Sequence, residues 1–263
     1  INPSGTRVPS SSSNTTTFGP TTAPLNLTAT AVINIDIDLD WDAPADNHGD
    51  APDGYKIERS ETSASAGFTT IVADTGDTAI TYTDGVTNTL TTGTTYYYKI
   101  SAINIYGTSD ASNVDSTIAS DVPAQVTNTV ATEQVGAEIG LTWSVPSANG
   151  SPITGYLIER STTSAVAGFT DLVADTGSTT TASYTDGVTN SLTIGTEYWY
   201  RVSAINILGT GYPSNVSSAV AADVPDPPEN LILVEKTKQS ITIAWDPSPT
   251  AETYSLSRGT EKI

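Results

Sequence analysis

YTDGVTNTLTTGTTYYYKISAIN (82–104) returns as YTDGVTNSLTIGTEYWYRVSAIN (184–206), 102 residues further on. The second half of each copy alternates in character. Tyr96, Tyr98, Ile100 and Ala102 fall on one face, and Tyr97, Lys99, Ser101 and Ile103 on the other, which is the two-residue period of a half-buried β-strand. Gly, Thr, Asn and Asp crowd the segment before it and bound the strand with turn chemistry. Other stretches repeat in step: GYKIERS (54–60) as GYLIERS (155–161), and SAINIYGT (101–108) as SAINILGT (203–210). A period this long exceeds any solenoid unit or propeller blade and fits one β-sandwich domain per repeat.

The pattern reaches both ends. INPSGTRVPS (1–10) lies over INILGTGYPS (205–214), and ITIAWD (241–246) over IDLDWD (37–42), each two periods away. The chain therefore reads as a stretch of a tandem array, entered and left partway through a repeat. INIDIDLDWD (33–42) predicts one continuous strand, with Ile33, Ile35, Ile37, Leu39 and Trp41 inward and Asn34, Asp36, Asp38, Asp40 and Asp42 outward. No segment sustains a helical period. About seven such runs per hundred residues predict an all-β sandwich of two sheets.

Composition sets limits on partners. The formal net charge is −19, which disfavours nucleic acid and anionic membranes and favours cations or cationic surfaces. Cysteine is absent, so packing rather than disulfides must hold the fold. No run approaches the ~18 apolar residues of a membrane span, so no membrane insertion is expected in this segment.

These residues resemble the fibronectin type III pattern. The first repeat carries Pro24…Leu27, Trp41, Gly54–Tyr55, Leu90, Gly93–Thr94, Tyr96, Ala102, Asn104 and Gly107. The second carries Pro123…Val126, Trp143, Gly155–Tyr156, Leu192, Gly195–Thr196, Tyr198, Ala204, Asn206 and Gly209. The third begins it with Pro228…Leu231, Trp245 and Tyr254. The resemblance implies tandem immunoglobulin-like, seven-stranded sandwiches joined by short linkers. It places the Trp on strand B, the first Tyr on strand C, and L-x-x-G-T-x-Y as the corner leading into strand F. The implied division is 1–20 as the C-terminal strand region of a preceding domain, 21–121 and 122–224 as whole domains, and 225–263 as strands A to C of a further one. The wording of the repeats is similar to that of prokaryotic, including archaeal, cell-surface arrays. The connection YTDGVTNTLTTG (82–93) is longer than usual for the family.

Few residues suggest chemistry. The one histidine, His48 in ADNHGDAPDG (45–54), has no counterpart in VPSANGSPITG (145–155), so no Ser/His/Asp constellation repeats. A Lys–Asn cross-link lacks support, since Lys56 becomes Leu157 and Lys99 becomes Arg201. No enzyme is expected. The row Asp36, Asp38, Asp40, Asp42 spaces like charges ~6.8 Å apart, about 0.6 kcal/mol of repulsion per pair in water, which a packed sandwich tolerates. Asp46, Asp50 and Asp53 in the loop after strand B are the candidate calcium ligands, because oxygen ligands converge most easily from a loop; no other cofactor is indicated. Tyr97, Ile103, Trp199 and Ile205 form outward stripes that serve either as a lateral packing surface or as ordinary cross-strand pairs beneath Lys and Arg stems. The sequons at Asn14, Asn26, Asn149 and Asn215 do not repeat by position.

The expected function is that of an extracellular structural protein at the cell surface. The array would form or belong to a surface filament, a surface layer or an adhesin stalk, with neighbouring copies or adjacent domains as partners. Two alternatives stay open: a non-catalytic spacer within a secreted polysaccharide-degrading enzyme, and a receptor ectodomain.

Overall fold

The structure, a computed structural model, describes residues 18–177, 181–189, 192–248 and 251–257. The segment 1–10 and the sequon at Asn14 lie outside the described residues. Two compact units are present. One comprises residues up to Ala124 with Ser147–Ile153 and Ile205–Thr210; the other comprises Gln125–Pro146, Thr154–Ala204 and residues from Gly211 on.

The first sandwich contains β1 (Leu25–Val32), β2 (Asp36–Asp42), β3 (Gly54–Ser60), β4 (Thr69–Val72), β5 (Thr81–Asp84), β6 (Thr95–Asn104), β7 (Gly107–Ala111) and β8 (Asp115–Ile118). One sheet runs β1–β2–β5. The other runs β4–β3–β6, with β7 and β8 both pairing β6. Neighbouring strands are antiparallel, and β3 lies on β6 from Gly54↔Ile103 to Ser60↔Tyr97. The alternation read from the sequence sets the core: Ile37, Leu39, Trp41, Tyr55, Ile57, Tyr96, Tyr98, Ile100 and Ala102 are all buried. The Trp41 and Tyr55 rings meet edge to face, 5.1 Å between centroids.

The second sandwich repeats this plan with β9 (Thr127–Gln134), β10 (Glu138–Ser144), β11 (Gly155–Ser161), β12 (Thr170–Val173), β13 (Ser183–Asp186), β14 (Glu197–Asn206), β15 (Gly209–Thr210) and β16 (Ser217–Val220). Its sheets are β13–β10–β9 and β12–β11–β14, with β15 and β16 pairing β14. Trp143 and Tyr156 repeat the edge contact at 5.0 Å. A last hairpin joins β17 (Glu229–Lys236) to β18 (Ile241–Asp246), and Trp245 packs edge-on against Tyr254 at 5.5 Å. Of the third strand expected there, residues 251–257 show no strand pairing, and the remainder lies outside the described residues. In the complete sandwiches that strand is held by the long strand after the corner, as β3 is by β6. No such partner accompanies residues 251–257 among the described residues.

Two expectations are corrected. The strand drawn over 33–42 begins only at Asp36, because Val32 pairs with Asp36 and Ile33–Ile35 makes the hairpin connection. Asn34 and Ile35 take left-handed φ values of 69° and 67°, where the second repeat has Gly136 and Ala137. A β-branched residue there costs on the order of 1–2 kcal/mol. The turn is fastened by Asp121, whose Oδ1 accepts the Asn34 N–H at 3.2 Å; Asp223 does the same for Gly136 at 3.1 Å. The second correction is a register. Leu25 pairs with Asp42 and Thr127 with Ser144, so Val126 occupies the place of Pro24, and Thr129 that of Leu27. Pro24 and Pro123 therefore stand three residues out of step, which the sequence does not show because it offers no pairing partner to pin the first strand.

Candidate functional site

The strongest polar constellation in each sandwich is buried and ties its two sheets together. Asp84, at the end of β5, is fully buried. Its Oδ2 accepts hydrogen bonds from Arg59 Nη1 (2.8 Å) and the Tyr98 hydroxyl (2.9 Å), both carried by the opposite sheet. Its Oδ1 accepts the Gly85 N–H at 3.1 Å and Asn88 Nδ2 at 3.2 Å. All four acceptor positions of the carboxylate are therefore used. The Arg59 guanidinium also stacks 5.0 Å from the centre of the Tyr96 ring. The second sandwich reproduces the set: Arg160 Nη1 at 2.8 Å and the Tyr200 hydroxyl at 2.9 Å from Asp186 Oδ2, with Arg160 5.2 Å from the Tyr198 ring.

Burial raises the Tyr98 and Tyr200 hydroxyls well above the ordinary phenol range, and the neighbouring carboxylate adds to the effect. Burial pulls against the Arg59 and Arg160 guanidinium charges, but the hydrogen bonds and charges of Asp84 and Asp186 outweigh it and hold both above their usual value. Such a group fixes geometry. It offers no exposed nucleophile or base.

Three things happen along the connection 82–93. Asp84 must turn inward, Gly85 must pass over β2, and the corner must close. Gly85 sits at φ 121°, and a Cβ on it would lie 2.1 Å from Asp36 Oδ1. The corner closes when the Tyr96 hydroxyl accepts the Thr91 N–H at 2.9 Å; Tyr198 and Thr193 repeat this at 3.0 Å. In the sequence YTDGVTN shows only as a repeat and as part of a long connection. The usable signal was that Arg, Asp-Gly and Tyr stayed constant while Lys56 and Lys99 did not.

A second missed pair is Asn113 and Asn215. Asn113 accepts the Leu27 N–H at 2.9 Å and donates to the Leu27 carbonyl at 3.0 Å. Asn215 grips Thr129 in the same way, at 3.2 and 3.0 Å. The Asn215 sequon thus coincides with a side chain bonded to buried backbone. At Asn26, Asn128 and Asn230 the left-handed φ recurs at 53°, 54° and 51°, so asparagine is there for its backbone, and the Asn26 sequon follows from that.

The structure does not gather Asp46, Asp50 and Asp53. Among the described residues no group of three or more His, Asp or Glu side chains could hold a metal ion. Asp46 Oδ1 accepts the His48 N–H at 2.8 Å, and Asp53 contributes its backbone N–H to the Ile103 carbonyl at 2.7 Å. His48 does have a counterpart, which is Asn149. Both residues are left-handed, at 46° and 50°. His48 Nδ1 lies 2.5 Å from the Pro20 carbonyl oxygen, and Asn149 Nδ2 donates to the Val122 carbonyl at 2.9 Å. Each is a clip that holds the lead-in to the first strand.

The acidic row lies off the core face of β2, and two of its members are bonded: Asp38 accepts from Thr83 Oγ1 and Asp42 from Asn26 Nδ2, each at 2.7 Å. Tyr97, Ile103, Trp199 and Ile205 are half-buried. The cations between them are held within their own sheets. Lys99 lies 3.5 Å from Glu58 and 4.6 Å from the Phe68 ring centre, and Arg201 grips Glu159 with two nitrogens over the Phe169 ring.

The pattern described as "Fibronectin type III domain" matches residues 22–117 and 124–220. The chain belongs to the fibronectin type III family. It is similar to protein sidekick-1 of Mus musculus, 34% identical over 139 residues, covering 52% of this chain and 6% of that protein. It is also similar to exoglucanase B of Cellulomonas fimi, 33% identical over 195 residues, covering 69% of this chain and 15% of that protein. The chain thus spans a small part of these relatives. Among solved structures, chicken CNTN1 FN1–FN3 domains align with a TM-score of 0.45 and 18% identity, over 78% of this chain and 69% of that one. The two sandwiches are tandem fibronectin type III domains. No helix among the described residues is long and apolar enough to cross a membrane.

Proposed function

We propose that this tandem belongs to an extracellular structural protein of the cell surface, a repeat array that forms part of a surface filament, surface layer or adhesin stalk. On this reading the modules are 21–121 and 122–224, with 1–20 and 225–263 belonging to flanking modules. Their partners are adjacent domains and neighbouring copies, and no catalytic role falls to them. The observation that carries the reading is the internal repetition. The Arg–Asp–Tyr tie, the tyrosine corner and the Asn grip recur one period apart, whereas several outward residues change. Asp38 and Asp40 become Gly140 and Thr142, and Lys56 becomes Leu157. A module kept for its framework and free to vary on its surface suits a mechanical repeat.

A second reading is supported by the similarity to exoglucanase B: spacer modules within a secreted polysaccharide-degrading enzyme. The complete reading frame together with electron microscopy of the native assembly separates the two. Many further repeats and an ordered surface structure are expected. A single hydrolase domain beside a few such modules would overturn the structural reading in favour of the spacer.

A further inference from the structure

Three of the four sequons fall on described residues, and the fold treats them differently. Asn215 Oδ1 accepts the Thr129 N–H while its Nδ2 donates to the Thr129 carbonyl. The proton used in such a two-point grip lies on the same side of the amide as its oxygen. An amide that carries a sugar resembles a trans peptide bond and keeps only the proton opposite the oxygen. A glycan on Asn215 would therefore displace the grip on Thr129. Asn149 Nδ2 donates to the Val122 carbonyl at 2.9 Å, and its Oδ1 accepts from Ser147 Oγ at 2.9 Å. Freeing that nitrogen opens the clip on the lead-in to β9.

Asn26 is open. It sits in a bulge between Leu25 and Thr28, at φ 53°, and is exposed. Its Nδ2 donates to the Asp42 carboxylate, which is exposed as well and exchanges this partner for water at little cost. Thr28 is also exposed, and its hydroxyl reaches the Asp40 carbonyl only at 3.5 Å, the outer limit of a hydrogen bond. Asn128 holds the same place in the second sandwich, at φ 54°, with Ser144 Oγ as its partner at 3.0 Å. It is exposed with a complete sandwich before it in the chain, so the openness of this position belongs to the bulge. The backbone accounts for the asparagine in both places. What differs is the residue two further on, Thr28 in the first sandwich and Val130 in the second.

We propose that Asn26 is the acceptor of an N-linked sugar on the folded chain, and that Asn149 and Asn215 are not. The donor is a sugar activated as a phosphate or diphosphate ester at its anomeric carbon. Nδ2 bonds to that carbon, the carbon–oxygen bond to the phosphate breaks, the phosphate leaves with the electron pair, and Nδ2 gives up one proton. One N–H remains for Asp42 or water. The cell-surface reading above supplies the setting in which such donors meet the chain, whereas the site itself stands on the bulge.

The test is transfer to the folded 263-residue chain from a nucleotide-activated hexose, by a soluble N-glycosyltransferase that recognises Asn-x-Ser/Thr. Occupancy is read by peptide mass spectrometry. Asn14 is changed to Gln throughout, and synthetic peptides spanning each sequon give its reactivity without the fold. Asn26 should react in the folded chain about as fast as in its peptide. Asn149 and Asn215 should react at least ~10-fold slower than in theirs, since a hydrogen bond to backbone must open first. Thr28→Val should silence Asn26 with unchanged circular dichroism, because valine already stands there in the second sandwich. Val130→Thr should make Asn128 a further acceptor. Equal protection of Asn26 and Asn215 would overturn the proposal, and so would an Asn128 that stays bare after Val130→Thr. Glycopeptide mapping of the chain from its native source tests the setting separately. A bare Asn26 there, beside a reactive one in the folded chain, would count against the cell-surface reading and leave the site standing.

Discussion

Replacing Asp84 with Asn tests whether the buried tie between the sheets holds the first sandwich together. The substitution keeps the shape but leaves a single carbonyl oxygen facing Arg59 and the Tyr98 hydroxyl. Taking one partner from a buried ion pair costs about 3–5 kcal/mol, because the other charge stays buried. Arg59 is 16% exposed and keeps its contact with the Tyr96 ring, so the lower end, about 3 kcal/mol, is expected. Each kcal/mol moves the melting temperature of a domain this size by roughly 4–8 °C, so the first sandwich should melt ~12–24 °C lower. Hydrogen exchange read by mass spectrometry on the full chain resolves the two sandwiches. Peptides from β2 and β6 should lose protection, while those from β10 and β14 should keep it. Asp186→Asn should give the mirror result. A double change, Asp84→Leu with Arg59→Met, should cost less than Asp84→Leu alone, since no charge is then left unpaired, while the Tyr98 hydroxyl still loses its acceptor. A loss below ~0.5 kcal/mol for Asp84→Asn, or equal loss in both sandwiches from one substitution, would refute this account.

Trp143→Ala should remove about 3–5 kcal/mol from the second sandwich by emptying its core; a melting curve that overlays the wild type would contradict the packing against Tyr156. Gly85→Ala should cost at least ~2 kcal/mol, because φ is left-handed and the new methyl would strike Asp36; chemical denaturation measures it, and a neutral result would mean that the loop shifts freely. Asn113→Ala should orphan both backbone groups of Leu27, at about 1–3 kcal/mol each, and the β1 amides should exchange faster while those of β9 do not. Stability should also fall in alkali. Tyr98 and Tyr200 are raised in the folded state, so their contribution is complete below the unfolded phenol value of ~10 and declines as pH climbs above it, by about 1.4 kcal/mol per pH unit for each tyrosine. The part of the tyrosinate absorbance that is lost in Tyr98→Phe or Tyr200→Phe should therefore appear together with the loss of circular dichroism, and its appearance before unfolding would refute the burial.

The alternation at Tyr96–Ala102 and at Ile37–Trp41, the 102-residue period, and the Trp and Tyr positions were enough to give the class of fold, the number of whole sandwiches and most of the core. They are local or periodic properties, and burial of one strand face leaves a two-residue signature that any reader of the chain can see. Three things depended on which strands lie side by side. The start of β2 at Asp36, three residues later than the alternation suggested, follows from Val32 meeting Asp36 across the hairpin. The equivalence of Thr129 with Leu27 follows from the grip of Asn215 on one and Asn113 on the other, some 86 residues away in sequence in each case. The inward turn of Asp84 could not be read from YTDGVTN, since Arg59 and Tyr98 come from the opposite sheet and only packing brings them within hydrogen-bonding distance. The same holds for the loop carboxylates Asp46, Asp50 and Asp53: their spacing permits convergence, but whether they meet depends on the path of the backbone, and among the described residues they form no group of three that could hold a metal ion. Periodicity is a property of the chain, whereas the partners of a buried charge are set by tertiary contacts.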